Sequence, residues 1–217
     1  MKINLPGFSE SIRPGKLICI GRNYAEHAKE MQSAVPTEPM IFLKPATSLV
    51  GSGGQIIIPA QSQEVHHEVE LVVALLKGGK NIPVGDAFAH VSGYAVGLDM
   101  TARDLQARAK KAGAPWSVAK GFDTFAPIGD FVAAHMVPDA QDLFISLKIN
   151  GEVRQKGHTA DMIFSVARLV AYASTIFTLE PGDLIYTGTP EGVGAIRKGD
   201  VLEAEITGLP TLYMTAE

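Results

Sequence analysis

The chain has 217 residues, 46% of them hydrophobic, and a net charge of -4. That length supports one sizeable core, the composition excludes a disordered chain, and the lack of a Lys/Arg-rich block argues against a nucleic-acid partner. No run approaches the ~18 apolar residues of a membrane span, and the opening MKINLPGFSE has neither an apolar signal core nor an Arg-rich presequence, so the sequence reads as a cytoplasmic protein with no membrane partner.

The first predicted strand is KLICIG. It contains the single cysteine, Cys19, which excludes an intrachain disulfide and reads as a buried small hydrophobe. NYAEHAKEM follows as a short helix, with Asn23 as its N-cap and Glu26 three residues on. His27 and Glu30 are neighbours on one face of that helix. A carboxylate beside an imidazole fixes its tautomer and raises its basicity, which suits a general base near neutral pH. The same spacing also fits a solvated face shared with Glu26 and Lys29.

MIFLKP and QIIIP read as short strands, and EVELVVALL as one longer strand. Alternation puts Glu68 and Glu70 on one face of that strand, with Cα atoms roughly 6.5–7 Å apart. Two carboxylates so close to an apolar run repel each other and lose hydration. A divalent cation between them removes the conflict; an exposed strand face is the alternative. VSGYAVGLD is another strand, ending in Asp99 where a helix begins, and Asp99 is the candidate third ligand. An all-carboxylate set favours Mg²⁺, Mn²⁺ or Ca²⁺ over zinc. His66, on the glutamate face, and His67, on the other, read as supporting hydrogen-bond or packing groups.

TARDLQARAKKAG is a helix closed by Gly113 with Pro115 beyond it. Arg103 and Gln106 fall on roughly one face after Asp99, where they could hold a substrate carboxylate. Lys120, taken alone, reads as an ordinary solvated lysine. DLFISLKINGEVRQ is a hairpin turning at Asn150-Gly151, and DMIFSVARLVAYASTIF is a long helix begun by Asp161. TGTPEGVG is a Gly-rich loop whose N–H groups could cradle an anion or simply connect two elements. GDLIYTG, VLEAEIT and TLYMTA complete the strands. Without a regular βαβ alternation, the pattern is α+β.

The ordered series GRNYAEHAKEM, FLKP, HHEVEL, GYAVGLDMTARDLQ, GAPWSVAKGFD, NGEVRQ, DMIFS and TGTPEGVG closely resembles the fumarylacetoacetate hydrolase family, in its small single-domain branch of acylpyruvate hydrolases and oxaloacetate decarboxylases. The resemblance implies a short N-terminal segment, residues 1–15, and a catalytic domain, residues 16–217, with a mixed β-sheet rolled on itself and a homodimeric assembly. It implies Mg²⁺ or Mn²⁺ held by Glu68, Glu70 and Asp99, and a small keto acid as substrate. His27 and Glu30 match the family's water-activating pair, and Lys120 the lysine that stabilises substrate oxygens. Arg103, Gln106 and Thr189, with Arg22 and Tyr24 near the mouth, match substrate-contacting positions. Larger members add a metal-binding aspartate from an N-terminal domain that this chain lacks, so water or substrate is expected to complete the coordination. The implied reaction is hydrolysis of the C3–C4 bond of a 2,4-dioxo acid to pyruvate and a carboxylic acid. Oxaloacetate decarboxylation, keto–enol tautomerisation, and isomerisation or hydration of an aromatic-degradation intermediate use the same enolate. A metal-binding β-protein without turnover is the reading from another class; the His27–Glu30 pair argues against it.

Overall fold

The computed structural model describes residues 1–217. Its main sheet has eight strands. In spatial order these are Ile41–Lys44, Leu17–Ile20, Leu184–Tyr186, Val69–Leu75, Val91–Leu98, Ala126–Ile128 and Leu49–Gly51, with Val132–Ala133 also paired to Val91–Leu98. Leu17–Ile20 runs parallel to Leu184–Tyr186, and Leu49–Gly51 parallel to Ala126–Ile128, while the remaining pairs are antiparallel. A second sheet of five strands is built on the hairpin Phe144–Ile149 and Glu152–His158, and a small third sheet joins Gly194–Ala195, Val65–His67 and Thr101–Ala102. With its flanking helices this is the expected α+β fold with a curled mixed sheet.

Val69–Leu75 and Val91–Leu98 are buried along their whole length because they separate two cores. Leu71, Val73, Val96 and Leu98 enter the larger one, together with the helix Val166–Ile176 and the second sheet. Val72, Ala74, Ala95, Cys19 and Tyr186 enter the smaller one, which Ile3 and Leu5 of the N-terminal segment cover. Strands with both faces buried read as near-continuous apolar runs, as LVVAL does.

Three local expectations are corrected. The strand expected over EVELVVALL does not include its first glutamate: Glu68 lies outside the ladder, between Val65–His67 and Val69–Leu75. Asn23 does not cap the helix. That helix is Ala25–Glu30, preceded by Tyr24 with no side-chain cap. The Asn23 amide instead donates to the Phe164 and Thr187 carbonyls and accepts from the Phe164 N–H, tying three chain segments together. The late helix begins at Val166 rather than Asp161, because the Ser165 hydroxyl accepts from the Arg168 N–H as the true N-cap. The hairpin turn is as expected, with Asn150 at φ 53° and Gly151 at φ 82°, the left-handed pair that such a turn requires.

Candidate metal centre and active site

Glu68, Glu70 and Asp99 converge at one end of the main sheet. A ligand oxygen from each lies within 4.8 Å of the other two, and all three residues are buried. The convergence comes from pairing: Glu70 stands opposite Gly97 in the register, and the Asp99 N–H donates to the Glu68 carbonyl. The Glu68 break aims its carboxylate into the cluster without requiring a continuous strand.

Three cations face these carboxylates. The Lys120 ammonium, 2% exposed, lies 2.8 Å from Glu68 Oε2 and 2.8 Å from Asp99 Oδ2. Arg103 Nη2 donates to Glu68 Oε1 at 2.6 Å. Lys44, equally buried, lies 2.7 Å from Asp99 Oδ1 and donates to the Met100 and Phe125 carbonyls. Lys120 and Arg103 hold the Glu68 carboxyl well below the usual carboxylate range against the opposing effect of burial. Glu70 has no side-chain cation in contact. Its Oε2 accepts only the Gly188 N–H, at 2.8 Å. Burial, followed by Asp99 and Glu68, pushes its carboxyl well above the ordinary range. A buried carboxylate with no cation of its own, beside two that share an ammonium, is a donor set suited to a hard divalent ion. Glu68, Glu70 and Asp99 would hold that ion.

The short helix Ala25–Glu30 closes over this end of the sheet. His27, 3% exposed, contacts Glu30 Oε2 through Nδ1 at 3.1 Å, which leaves Nε2 free. Glu30 Oε1 accepts the Gly192 N–H at 3.0 Å. The loop 187–194 thus supplies one N–H to Glu70 and another to Glu30. Gly188 has φ 97°, and a Cβ there would meet Asn23 Cβ at 2.6 Å. Gly192 has φ 93°, and a Cβ there would meet the Arg154 carbonyl at 2.3 Å. Both positions therefore require glycine.

The other expected residues fall around the same end. Gln106 is buried and accepts from Arg103 Nη1 at 2.8 Å. Tyr24 is buried with its hydroxyl unpartnered; burial and Glu70 raise its phenol far above the ordinary value. Thr189 is buried, and its Oγ1 accepts from Gln155 Nε2 at 2.8 Å. Arg22 is half-buried and makes no ion pair with a site carboxylate. Lys120, which alone read as surface, is an interior residue held by two carboxylates.

Two residues with clear structural work were not singled out from the sequence. Lys44 looked like one more residue of a short strand, and only Asp99 beside it reveals its purpose. Gln155 lies in the hairpin but is 1% exposed. Its Oε1 accepts from His67 Nδ1 and the Val69 N–H, and its Nε2 donates to Thr189 Oγ1 and the Pro190 carbonyl. It thereby joins the ligand-bearing strand to the Gly-rich loop. The lone polar residue on an inward-facing position of the hairpin was the available signal.

Residues 16–216 match the family model described as fumarylacetoacetate (FAA) hydrolase, C-terminal. The chain is 52% identical over 202 residues to the mitochondrial oxaloacetate tautomerase FAHD1 of Arabidopsis thaliana, covering 93% of this chain and 91% of that protein. It is 47% identical over 201 residues to the Homo sapiens protein of the same name, with the same coverage of 93% and 91%. A crystal structure of fumarylpyruvate hydrolase from Pseudomonas aeruginosa, in complex with Mn²⁺ and pyruvate, superposes with a TM-score of 0.94 at 43% identity, covering 100% of this chain and 95% of that one. With its buried carboxylate cluster and a family model spanning nearly its whole length, the chain belongs to the fumarylacetoacetate hydrolase family.

Proposed function

We propose that the protein is a divalent-metal-dependent enzyme that forms and protonates enolates of small 2-oxo acids, with keto–enol tautomerisation of oxaloacetate as its reaction. The observation that carries this reading is Lys120: a buried ammonium shared by two of the three clustered carboxylates. A fixed positive charge in a dry site stabilises an oxyanion that develops beside it. A bound Mg²⁺ or Mn²⁺ supplies Lewis-acid polarisation of the substrate's oxygens.

The chain's own groups account for the proton transfers. His27 Nε2, free while Glu30 holds Nδ1, takes a proton from C3 of the oxo acid. The electron pair moves to the C2 oxygen, where Lys120 balances the charge. Returning the proton to oxygen gives the enol, and returning it to C3 gives the keto form. Arg103, braced by Gln106, and Thr189 orient the C1 carboxylate, and the free Tyr24 hydroxyl offers it a further donor. The identity to oxaloacetate tautomerases over more than nine-tenths of the chain supports the choice of oxaloacetate.

C3–C4 hydrolysis of 2,4-dioxo acids is the second reading, and the His27–Glu30 pair favours it. There His27 takes its proton from water, which attacks C4. The C3–C4 bond breaks with its electrons delivered to the pyruvate enolate, and protonation at C3 gives pyruvate and a carboxylic acid. The resemblance to the fumarylpyruvate hydrolase supports this reading, as the family resemblance supports a homodimer, to be checked by light scattering. The deciding experiment gives the Mg²⁺-loaded protein oxaloacetate, acetylpyruvate and fumarylpyruvate in parallel. It follows enol absorbance and pyruvate release. Accelerated enol–keto relaxation of oxaloacetate that chelator abolishes is the expected result; pyruvate release from the dioxo acids alone reverses the order of the two readings.

A further inference from the structure

Gln155 stands where the hairpin Phe144–Ile149 and Glu152–His158 departs from strict alternation. Val153 pairs with Lys148 and Gln155 with Leu147, so Arg154 is an extra residue, a bulge in that strand. In a regular strand two residues two apart share a face. Here the extra residue leaves Val153 outward, 58% exposed, and turns Gln155 onto the buried face that Leu147 shares. Two distant segments then take up the amide's whole bonding capacity. Its Oε1 accepts the Val69 N–H at 3.0 Å and meets His67 Nδ1 at 2.9 Å. Its Nε2 donates to Thr189 Oγ1 at 2.8 Å and to the Pro190 carbonyl at 2.9 Å. Val69 separates Glu68 from Glu70. Thr189 and Pro190 lie between Gly188 and Gly192, the donors to Glu70 and Glu30.

Backbone groups fix the direction of these bonds. The Val69 N–H can only donate and the Pro190 carbonyl can only accept, so the amide has one orientation. Flipping it would set N–H against N–H and oxygen against oxygen. With Nε2 facing it, Thr189 Oγ1 must act as an acceptor toward Gln155. The hydroxyl makes no other bond within the chain, and its single proton is left for a partner outside the chain. A threonine hydroxyl without that donor is ambivalent and can turn its proton onto a neighbouring carbonyl. We infer that Gln155 is a positioning residue that sets the polarity of Thr189, holding its hydroxyl as a donor to an anionic oxygen of the substrate. The inference rests on the reading of Thr189 as a substrate contact. It adds a residue that touches no substrate and decides whether that contact attracts or repels a carboxylate.

Calorimetric binding of pyruvate at saturating Mg²⁺ tests this apart from turnover and from metal affinity. Losing a hydrogen bond to a charged group weakens binding about tenfold or more. That loss is expected for Thr189→Val, while Thr189→Ser should keep the unmodified affinity. Gln155→Glu places an acceptor where Thr189 now meets a donor, and should weaken pyruvate binding by a similar factor. The decisive measurement is the double variant, Gln155→Glu with Thr189→Val. If Gln155 acts through the hydroxyl, the double variant binds pyruvate no more weakly than Thr189→Val alone. Thermal unfolding of each variant checks that the fold is kept. Gln155→Met, which supplies neither donor nor acceptor, carries the same cycle if the glutamate variant does not fold. Losses that multiply in the double variant, or Gln155 variants with undiminished affinity, overturn the polarity role while leaving Thr189 as a contact. Undiminished binding by Thr189→Val removes that contact and the inference with it. Failure of the unmodified protein to bind pyruvate overturns the oxo-acid reading itself.

Discussion

Lys44 Nζ lies 2.7 Å from Asp99 Oδ1, and both side chains are essentially inaccessible to solvent. The lysine has no route to the surface and is held otherwise by two backbone carbonyls and the Phe125 ring. It fixes the orientation of a carboxylate that would bind metal through its remaining capacity. Lys44→Met keeps the length and removes the charge. Breaking one half of a buried ion pair typically costs about 3–5 kcal/mol. A loss of that order is expected in the metal-free protein, with a smaller loss at saturating Mg²⁺, where the ion partly replaces the missing charge. Chemical denaturation with and without Mg²⁺ reads both values, and equal losses in the two conditions would contradict this account of Lys44.

Glu70→Gln should act in opposite directions with and without metal. Burial and the two neighbouring carboxylates disfavour its ionised form, and the amide oxygen can still accept the Gly188 N–H. Metal-free stability should therefore hold or rise. The stabilisation by metal, about 2.7 kcal/mol at a hundred times Kd for a ligand that binds only the native state, should largely disappear along with turnover. A thermal shift on adding Mn²⁺ that equals the unmodified protein's would remove Glu70 from the ligand set.

Lys120→Met tests whether the shared ammonium acts on the developing enolate. A group whose main interaction is with the transition state lowers kcat more than it changes KM. Loss of one such electrostatic contact is worth ~10²–10³ in kcat. An effect confined to KM would make Lys120 a carboxylate anchor instead.

His27→Ala and Glu30→Gln separate proton transfer from closure of the short helix. The amide of Glu30→Gln preserves an acceptor for the Gly192 N–H, so the helix remains tethered while the imidazole loses its charged partner. Losing a positioned general base costs ~10²–10⁴ in rate. Tautomerisation and C–C hydrolysis should fall by that order in His27→Ala. Oxaloacetate decarboxylation, which needs no base, should fall less. Equal losses in all three reactions would show that the helix acts only as a cover.

The all-oxygen cluster was legible in the sequence because carboxylates in an apolar run conflict with the burial around them, and that conflict is visible without coordinates. The alternating hairpin and its Asn-Gly turn were legible for the same local reason. What escaped depends on contacts between distant segments. Asn23 precedes a helix and has a capping side chain, yet its Oδ1 accepts the Phe164 N–H in place of one from the helix terminus, while its Nδ2 donates to the Phe164 and Thr187 carbonyls. Asp161 and Ser165 both precede the same apolar helix, and only the fold shows which one meets an N–H. Lys44 and Lys120 are single lysines in short polar–apolar stretches; nothing local distinguishes them from surface residues, and their burial follows from Asp99 arriving from another strand.

The loop 187–194 has a consequence for how the chain can vary in length. Its N–H groups at Gly188 and Gly192 reach two carboxylates in separate parts of the chain, one on a core strand and one on the covering helix. The span between those two amides is a fixed gauge, and both ends are set by glycines that admit no Cβ. An insertion or deletion inside it would misplace one amide whichever end stayed in register, so the loop is closed to length change despite its turn-rich composition. The tip at Asn150-Gly151, equally rich in turn residues, is tied to one segment only, through the bonds of Asn150 to Asp200 and Val201, and reaches no site carboxylate; a Cβ at Gly151 meets nothing within 4 Å. An added peptide is therefore expected to disturb the site when placed inside the loop and, just beyond Asn150 at the hairpin tip, to leave it in place.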